Sequence, residues 1–191
     1  LDSLDPACFA HITGRDCLAD VLEGLRVARA VGFSPIKLNM VVQADVNVAE
    51  VSRMVAFAIE HEFVLRLIEP MQVGDTGRAT QGIDLSRLGE QLAEQHGLVP
   101  QVLGQGAGPA RYWCTADQRM SLGVITPMSR HFCETCNRVR LGVDGTLYLC
   151  LGQNDQVPLG TMMREGASDA DLVEAILAGK VRDGHVVVIR Y

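Results

Sequence analysis

The chain has 191 residues, 48% of them apolar, and a formal net charge of −6. That length suits one ordinary domain or a part of a larger fold, with ample apolar material for a core. The acidic balance argues against a nucleic-acid surface held by bulk positive charge, and no apolar run approaches the roughly 18 residues that span a bilayer.

The opening Leu1-Asp2-Ser3-Leu4-Asp5 has neither the basic start nor the apolar stretch of a signal peptide. It also has no methionine and no N-terminal cap, which reads as the continuation of a longer chain. Leu18, Val21, Leu22, Leu25 and Ala28 fall on one helical stripe, with Gly32 as its stop. Pro35 to Val42 is β-branched and apolar, with Lys37 and Asn39 in alternate positions, and is expected to be a strand. Asn47 and Glu50 form an N-x-x-E start signal for a helix that buries Val51, Met54, Val55, Ala58 and Ile59. Val64 to Ile68 is a short strand ending at Glu69-Pro70, and Gly74 and Gly77 mark a loop after it. Leu85, Leu88 and Leu92 form a third helical stripe, behind Asp84 as N-cap and ahead of Gly97.

Strand–helix alternation of this kind predicts an α/β fold of parallel βαβ units with right-handed crossovers. Ligands in such folds lie at the carboxyl ends of the strands. Lys37 and Arg66 are then expected to point toward a barrel interior or mouth, and Met71 lies just past a strand end. After Pro100 the texture changes to a loose run of Gly104, Gly106, Gly108 and Pro109. Met120 to Thr126 reads as a strand leading into the cysteines, Asp144-Gly145 as a hairpin turn. Ser168 and Asp171 cap a last helix with Leu172, Ile176 and Leu177, ended by Gly179. The expected organisation is an α/β part over 1–105 and a smaller thiol-bearing part over 106–191.

Cys133, Cys136 and Cys150 carry the most chemistry. The C-x2-C gap lets two sulfurs face one metal, as in zinc and iron–sulfur sites. A structural zinc asks for a fourth ligand, for which Cys114 or His131 stands available; three thiolates and an open position suit a cluster that meets substrate; plain buried thiols are the third reading. Six cysteines are too few for a secreted disulfide scaffold and point to a reducing, cytoplasmic compartment. Arg138 and Arg140, spaced i, i+2, share one side of a strand and either fork onto an anion or form a solvated face. In a two-residue Asp-Gly hairpin Cys150 pairs with Val139 and faces away from both arginines, so bringing them together requires a bulge or a longer turn. Lys37 on an apolar strand needs a partner if buried, or snorkels at the strand end. Arg66 either faces a ligand or pairs with Glu69. Cys8, Cys17 and Cys114 read as small buried hydrophobes, and none of the five histidines is assigned to chemistry.

These residues resemble one family. Leu1 to Asp5 is similar to the end of its SLDSLD segment. Lys37-Leu-Asn-Met-Val-Val resembles its lysine strand, and Asn47 its asparagine at the next helix start. Arg66-Leu-Ile-Glu69-Pro-Met71-Gln-Val-Gly74 is similar to its RFIEFMPxG. Phe132-Cys133-Glu-Thr-Cys136-Asn-Arg138-Val-Arg140-Leu, with Asp144-Gly145 and Cys150-Leu151, resembles its C-terminal cluster motif. The family is MoaA, the radical S-adenosylmethionine GTP 3′,8-cyclases of molybdenum cofactor biosynthesis, and the likeness runs from residue 1 to about residue 152.

The resemblance implies an incomplete (β/α) TIM-type barrel closed by an α+β domain that holds a second [4Fe–4S] cluster on Cys133, Cys136 and Cys150. It places Arg138, Val139 and Arg140 at GTP, with Lys37 and Arg66 as further GTP contacts and Met71 against S-adenosylmethionine. The implied enzyme is a cytoplasmic lyase whose cyclic nucleotide product passes to cyclic pyranopterin monophosphate synthase. No nucleic-acid or membrane partner is expected, and a homodimer stays open. Four departures stand beside this. The family's C-x3-C-x2-C for the first cluster is absent from these residues; its S-adenosylmethionine serine would precede Leu1; its Gly-Gly tail is replaced by Arg190-Tyr191; and Pro70 stands where an aromatic is usual. The residues alone are therefore expected to make no radical. The competing expectations are a non-catalytic iron–sulfur or zinc-stabilised nucleotide-binding module, and another radical enzyme of similar build.

Overall fold

The computed structural model describes residues 1–101, 110–130, 139–150 and 154–181. The chain divides into two compact units, Leu1–Gly106 with Ala110–His131, and Ala107–Pro109 with Phe132–Tyr191. The division falls later than the expected break at 105, because residues 111–125 are built into the first unit's sheet.

In the first unit two helices, α1 (Pro6–Thr13) and α2 (Leu18–Ala30), precede β1 (Lys37–Val41). They are followed by α3 (Val51–His61), β2 (Val64–Ile68), α4 (Gly74–Ala79) and α5 (Leu85–Gln95). Strands β3 (Val99–Gln101), β4 (Arg111–Cys114) and β5 (Ser121–Ile125) complete it. The sheet runs β1-β2-β5-β4-β3, with β1, β2 and β5 parallel and β4 and β3 antiparallel. A mixed sheet whose parallel strands β1, β2 and β5 carry helices folded back onto them is an α/β arrangement, as the alternation predicts.

One face of that sheet makes the core. Leu38, Met40, Leu65, Leu67, Leu122 and Val124 are buried there against Val51, Met54, Val55 and Ala58 of α3 and Leu85 and Leu92 of α5. The period-2 spacing in the strands and the i, i+3, i+4 spacing in α3 put these residues on facing surfaces. Asp84 caps α5 as its position signals, Oδ1 accepting the Arg87 amide at 3.0 Å. The opening, read as having no cap, does have one, since Asp5 Oδ1 accepts the Cys8 amide at 2.9 Å ahead of Pro6 and starts α1.

Two local readings give way, and two strands are added. Residues 74–79 form a short helix rather than a loop; a side chain at Gly77 would overlap the Met71 carbonyl, so glycine lets α4 settle on the β2 loop. β3 and β4, which the sequence did not signal, flank the loose run Gly104 to Pro109, itself outside the described residues, and Pro100 is tolerated because β3 is an edge strand. Asn47 and Glu50 do not form a capping box. A short 3-10 turn (Val48–Glu50) precedes α3, the Asn47 side chain makes no cap hydrogen bond, and both side chains hold other segments instead.

The second unit contains β6 (Arg140–Leu141), β7 (Leu147–Tyr148), β8 (Gln156–Val157), α6 (Leu159–Arg164) and α7 (Asp169–Val181). Its strands pair antiparallel in the order β6-β7-β8. Ser168 and Asp171 cap α7 reciprocally: Asp171 Oδ2 accepts the Ser168 amide at 2.8 Å and the Ser168 hydroxyl at 2.6 Å. Gly179 does not end α7. A Cβ there would lie 2.9 Å from both Leu149 Cδ1 and Val157 Cγ2, so glycine lets the helix close onto the sheet. No helix among the described residues is long and apolar enough to cross a membrane.

Candidate functional site

The sheet face turned away from α3 and α5 carries the polar residues. Lys37 and Asn39 are exposed on β1, Arg66 is half-buried on β2, and Ser121 is half-buried on β5. In register, Asn39, Arg66, Gly123, Tyr112 and Gln101 form one row across all five strands. Lys37 is opposite Val64, one diagonal step from Arg66, within reach of long side chains. Arg66 Nε donates to Asn39 Oδ1 at 2.7 Å, and the Ser121 hydroxyl donates to Gln101 Oε1 at 3.0 Å.

Arg66 does not pair with Glu69. Glu69 is buried, and its Oε2 accepts the amides of Met128 at 2.7 Å and Ser129 at 2.9 Å, tying the carboxyl end of β2 to the loop after β5. Among the described residues neither Lys37 nor Arg66 has a carboxylate partner. Two cations left without counter-ions on one sheet face are suited to an anion. Met71 is half-buried in the loop after β2, at the carboxyl end of the strands where α/β sheets hold ligands.

Residues 2–5 are fastened at the same end of β1. Asp2 Oδ1 accepts the Val41 amide at 2.7 Å, and Asn47 Nδ2 donates to Asp2 O at 2.8 Å and Val41 O at 3.0 Å. Glu50 Oε1 accepts the Ser3 hydroxyl at 2.6 Å, while Oε2 accepts the amides of Leu4 at 3.0 Å and Asp5 at 3.1 Å and pairs with Arg53 at 2.6 Å. Burial alone would raise the Glu50 carboxyl; the donors from Ser3, Leu4, Cys8 and Arg53 outweigh it and hold it below the usual range. Burial pushes the Cys8 thiol up, against use as a thiolate.

In the second unit Val139 and Arg140 are exposed and Cys150 is half-buried just beyond β7. Cys133, Cys136 and Arg138 lie outside the described residues. The hairpin differs from the two-residue Asp-Gly form. Gly142 N–H donates to Thr146 O at 2.8 Å, Gly145 N–H donates to Gly142 O at 3.0 Å, and Gly145 has φ +82°. That is a type I turn closed by a left-handed glycine, a three-residue loop. Arg140 therefore pairs with Tyr148, and the register that would set Val139 against Cys150 is not formed. The conflict between Cys150 and Arg140 in strand parity is removed.

Sequence reasoning read Asn39 only as an alternating polar position, and passed over Glu69 except as a partner for Arg66. The period-2 pattern that flags Lys37 flags Asn39 equally; nothing local signals that Glu69 holds amides some sixty residues away. Among the described residues no three or more His, Cys, Asp or Glu side chains gather as a metal site.

The first unit is thus an α/β sheet whose outer face carries two cations without carboxylate partners among the described residues. Comparison with known proteins gives the family. The family model for Molybdenum Cofactor Synthesis C matches residues 63–182. The GTP 3′,8-cyclase of Gloeobacter violaceus is 41% identical over 183 residues, covering 92% of this chain and 55% of that protein. That of Rhizobium leguminosarum bv. trifolii is 44% identical over 178 residues, covering 92% and 51%. That of Rhizobium meliloti is 40% identical over 195 residues, covering 99% and 55%. The chain belongs to the molybdenum cofactor synthesis C family. It spans about half the length of the curated relatives it matches.

Proposed function

We propose that these residues are part of a radical S-adenosylmethionine GTP 3′,8-cyclase, a lyase that converts GTP to (8S)-3′,8-cyclo-7,8-dihydroguanosine 5′-triphosphate in molybdenum cofactor biosynthesis. The observation that carries the reading is the sheet face bearing Lys37 and Arg66, two cations without carboxylates at a parallel sheet, in a chain akin to enzymes named for GTP. On this reading the first unit is a portion of an incomplete (β/α) barrel and the second is the iron–sulfur, GTP-binding part.

Cys133, Cys136 and Cys150 make an all-thiol donor set, the chemistry that iron–sulfur clusters take. The three-residue hairpin loop is compatible with Cys150 and Arg140 serving one site, so the residues fit a [4Fe–4S] cluster. Held by these three thiolates, such a cluster would supply a site at which the purine could be bound. Arg138 and Arg140, with the Val139 backbone between them, bind the nucleotide; Lys37 and Arg66 hold its phosphates by charge-assisted hydrogen bonds. Asn39 keeps the Arg66 fork oriented. Met71 packs against S-adenosylmethionine. Cleavage of S-adenosylmethionine needs a further cluster whose C-x3-C-x2-C ligands these 191 residues do not contain, so they are inactive by themselves.

The test is anaerobic reconstitution of the 191-residue chain. About four irons per chain are expected, the complement of a single [4Fe–4S] cluster, with a paramagnetic spectrum that GTP perturbs. Stoichiometric zinc without iron uptake overturns the reading and favours a zinc-stabilised module. A cluster whose spectrum is blind to GTP favours another radical enzyme.

A further inference from the structure

Tyr112 is placed to serve the cationic face, and Gly123 is what allows it. A Cβ at Gly123 would lie 2.7 Å from Cε1, 3.1 Å from Cδ1 and 3.2 Å from Cζ of the Tyr112 ring. Tyr112 and Gly123 are register partners on neighbouring strands, so a ring standing upright on β4 would not reach that position. The ring instead leans over the glycine of β5, with Cε1 nearest to it. The next residue in the row beyond Gly123 is Arg66. Arg66 has spent its Nε on Asn39, and among the described residues no hydrogen bond or ion pair engages the rest of its fork or the Tyr112 hydroxyl. Tyr112 and Arg66 thus flank Gly123 in one row of a face that also carries Lys37 and, among the described strand residues, no carboxylate.

We propose that Tyr112 is a further binding residue for the nucleotide's phosphates. Its O–H donates to a phosphate oxygen that Arg66 also holds, and the side-chain-free Gly123 is the notch in which the ring lies. The proposal rests on the GTP reading above and adds to it a residue and the chemical group that residue meets. A neutral donor to a charged oxygen is a charge-assisted hydrogen bond, whose loss corresponds to about a tenfold change in affinity.

The experiment is equilibrium binding of GTP and of guanosine to the full-length, cluster-loaded protein and its variants. Tyr112→Phe keeps the ring and removes the donor; it is expected to weaken GTP about tenfold and to leave guanosine unchanged. Gly123→Ala, which displaces the ring without altering its chemistry, is expected to lower GTP affinity to a similar degree, again sparing guanosine. A Tyr112→Phe protein with wild-type GTP affinity overturns the proposal, and so do equal losses for GTP and guanosine, since ring packing alone would then account for them. If the wild-type protein binds neither ligand while Arg66→Ala changes nothing, the nucleotide reading falls with it.

Discussion

The two units of this chain are held by different physics. The first buries a broad apolar layer under a five-stranded sheet, with Met40, Met54, Leu65, Leu67, Leu85 and Leu122 sealed from solvent. In the second, Leu147 and Val157 are the buried hydrophobes among the described residues, and its strands are two residues long. What holds it is close backbone fit. Gly160 N–H donates to Gly145 O at 2.8 Å, and a Cβ on Gly145 would lie 2.5 Å from Gly160 Cα. The first unit is therefore sensitive to lost side-chain volume, the second to added volume on the backbone.

The largest expected effect breaks the first unit. Leu65 is fully buried on the interior strand β2, and Leu65→Ala should cost about 2–5 kcal/mol. The chain's single tryptophan, Trp113, is buried in β4, so its emission during urea unfolding reports this unit. An unmoved midpoint would show that the layer is not what holds the sheet. Glu69→Ala should cost less, about 1–3 kcal/mol, because the amides of Met128 and Ser129 lose the acceptor that the buried carboxylate gives them. The amides of Met128 and Ser129 should then exchange faster, and unchanged protection would deny Glu69 its clamping role. Gly160→Ala is the matching break in the second unit. Alanine is worth up to about 1 kcal/mol over glycine in a helix, yet the added carbon meets the Asp144 carbonyl, which is backbone and cannot swing aside. Overcrowding of this kind costs about 1–3 kcal/mol, so net destabilisation is expected, read as faster exchange of the Gly142 and Gly160 amides.

The same contrast explains what the sequence made legible. The strands Lys37–Val41 and Val64–Ile68 and the stripes of α3 and α5 were readable because an apolar core imposes period 2 and period 3.6 on the residues that face it. The second unit imposes no such period. Gly179 looks like a helix stop and is a contact point, and Asp144-Gly145 looks like a two-residue turn and closes a three-residue one. Of the candidate site, the cations on the sheet were legible from their positions, since a charged residue in an apolar alternation must face away from the core. The partners were not: Glu50 holds Ser3 across 47 residues of sequence, a pairing that no local pattern encodes.

Glu50 offers a smaller test, by pH. Its carboxyl is held below the usual range by donors that require the anion. A depressed carboxyl adds stability above its unfolded pKa of about 4.3 and loses it as pH falls through the lower folded value. Glu50→Gln should thus weaken protection of the Leu4 and Asp5 amides by about 1 kcal/mol near neutrality, and the gap to wild type should close as the medium is acidified below the ordinary carboxylate range. A gap that is constant with pH would mean that shape, not charge, holds residues 2–5.

The smallest effect has the opposite sign and sharpens the comparison most. Gly24 lies within α2, with open space where a Cβ would be added. Nothing opposes the helix propensity gained there, so Gly24→Ala should stabilise by about 0.5–1 kcal/mol and raise the midpoint of the Trp113 transition. Gly24→Ala and Gly160→Ala are the same substitution in a helical position and differ in what the new methyl meets. Opposite signs would mean that backbone contact in the second unit outweighs a propensity that the first unit lets through. Stabilisation at both positions would remove the distinction between the two units, because the turn over Gly160 would then be able to yield without cost.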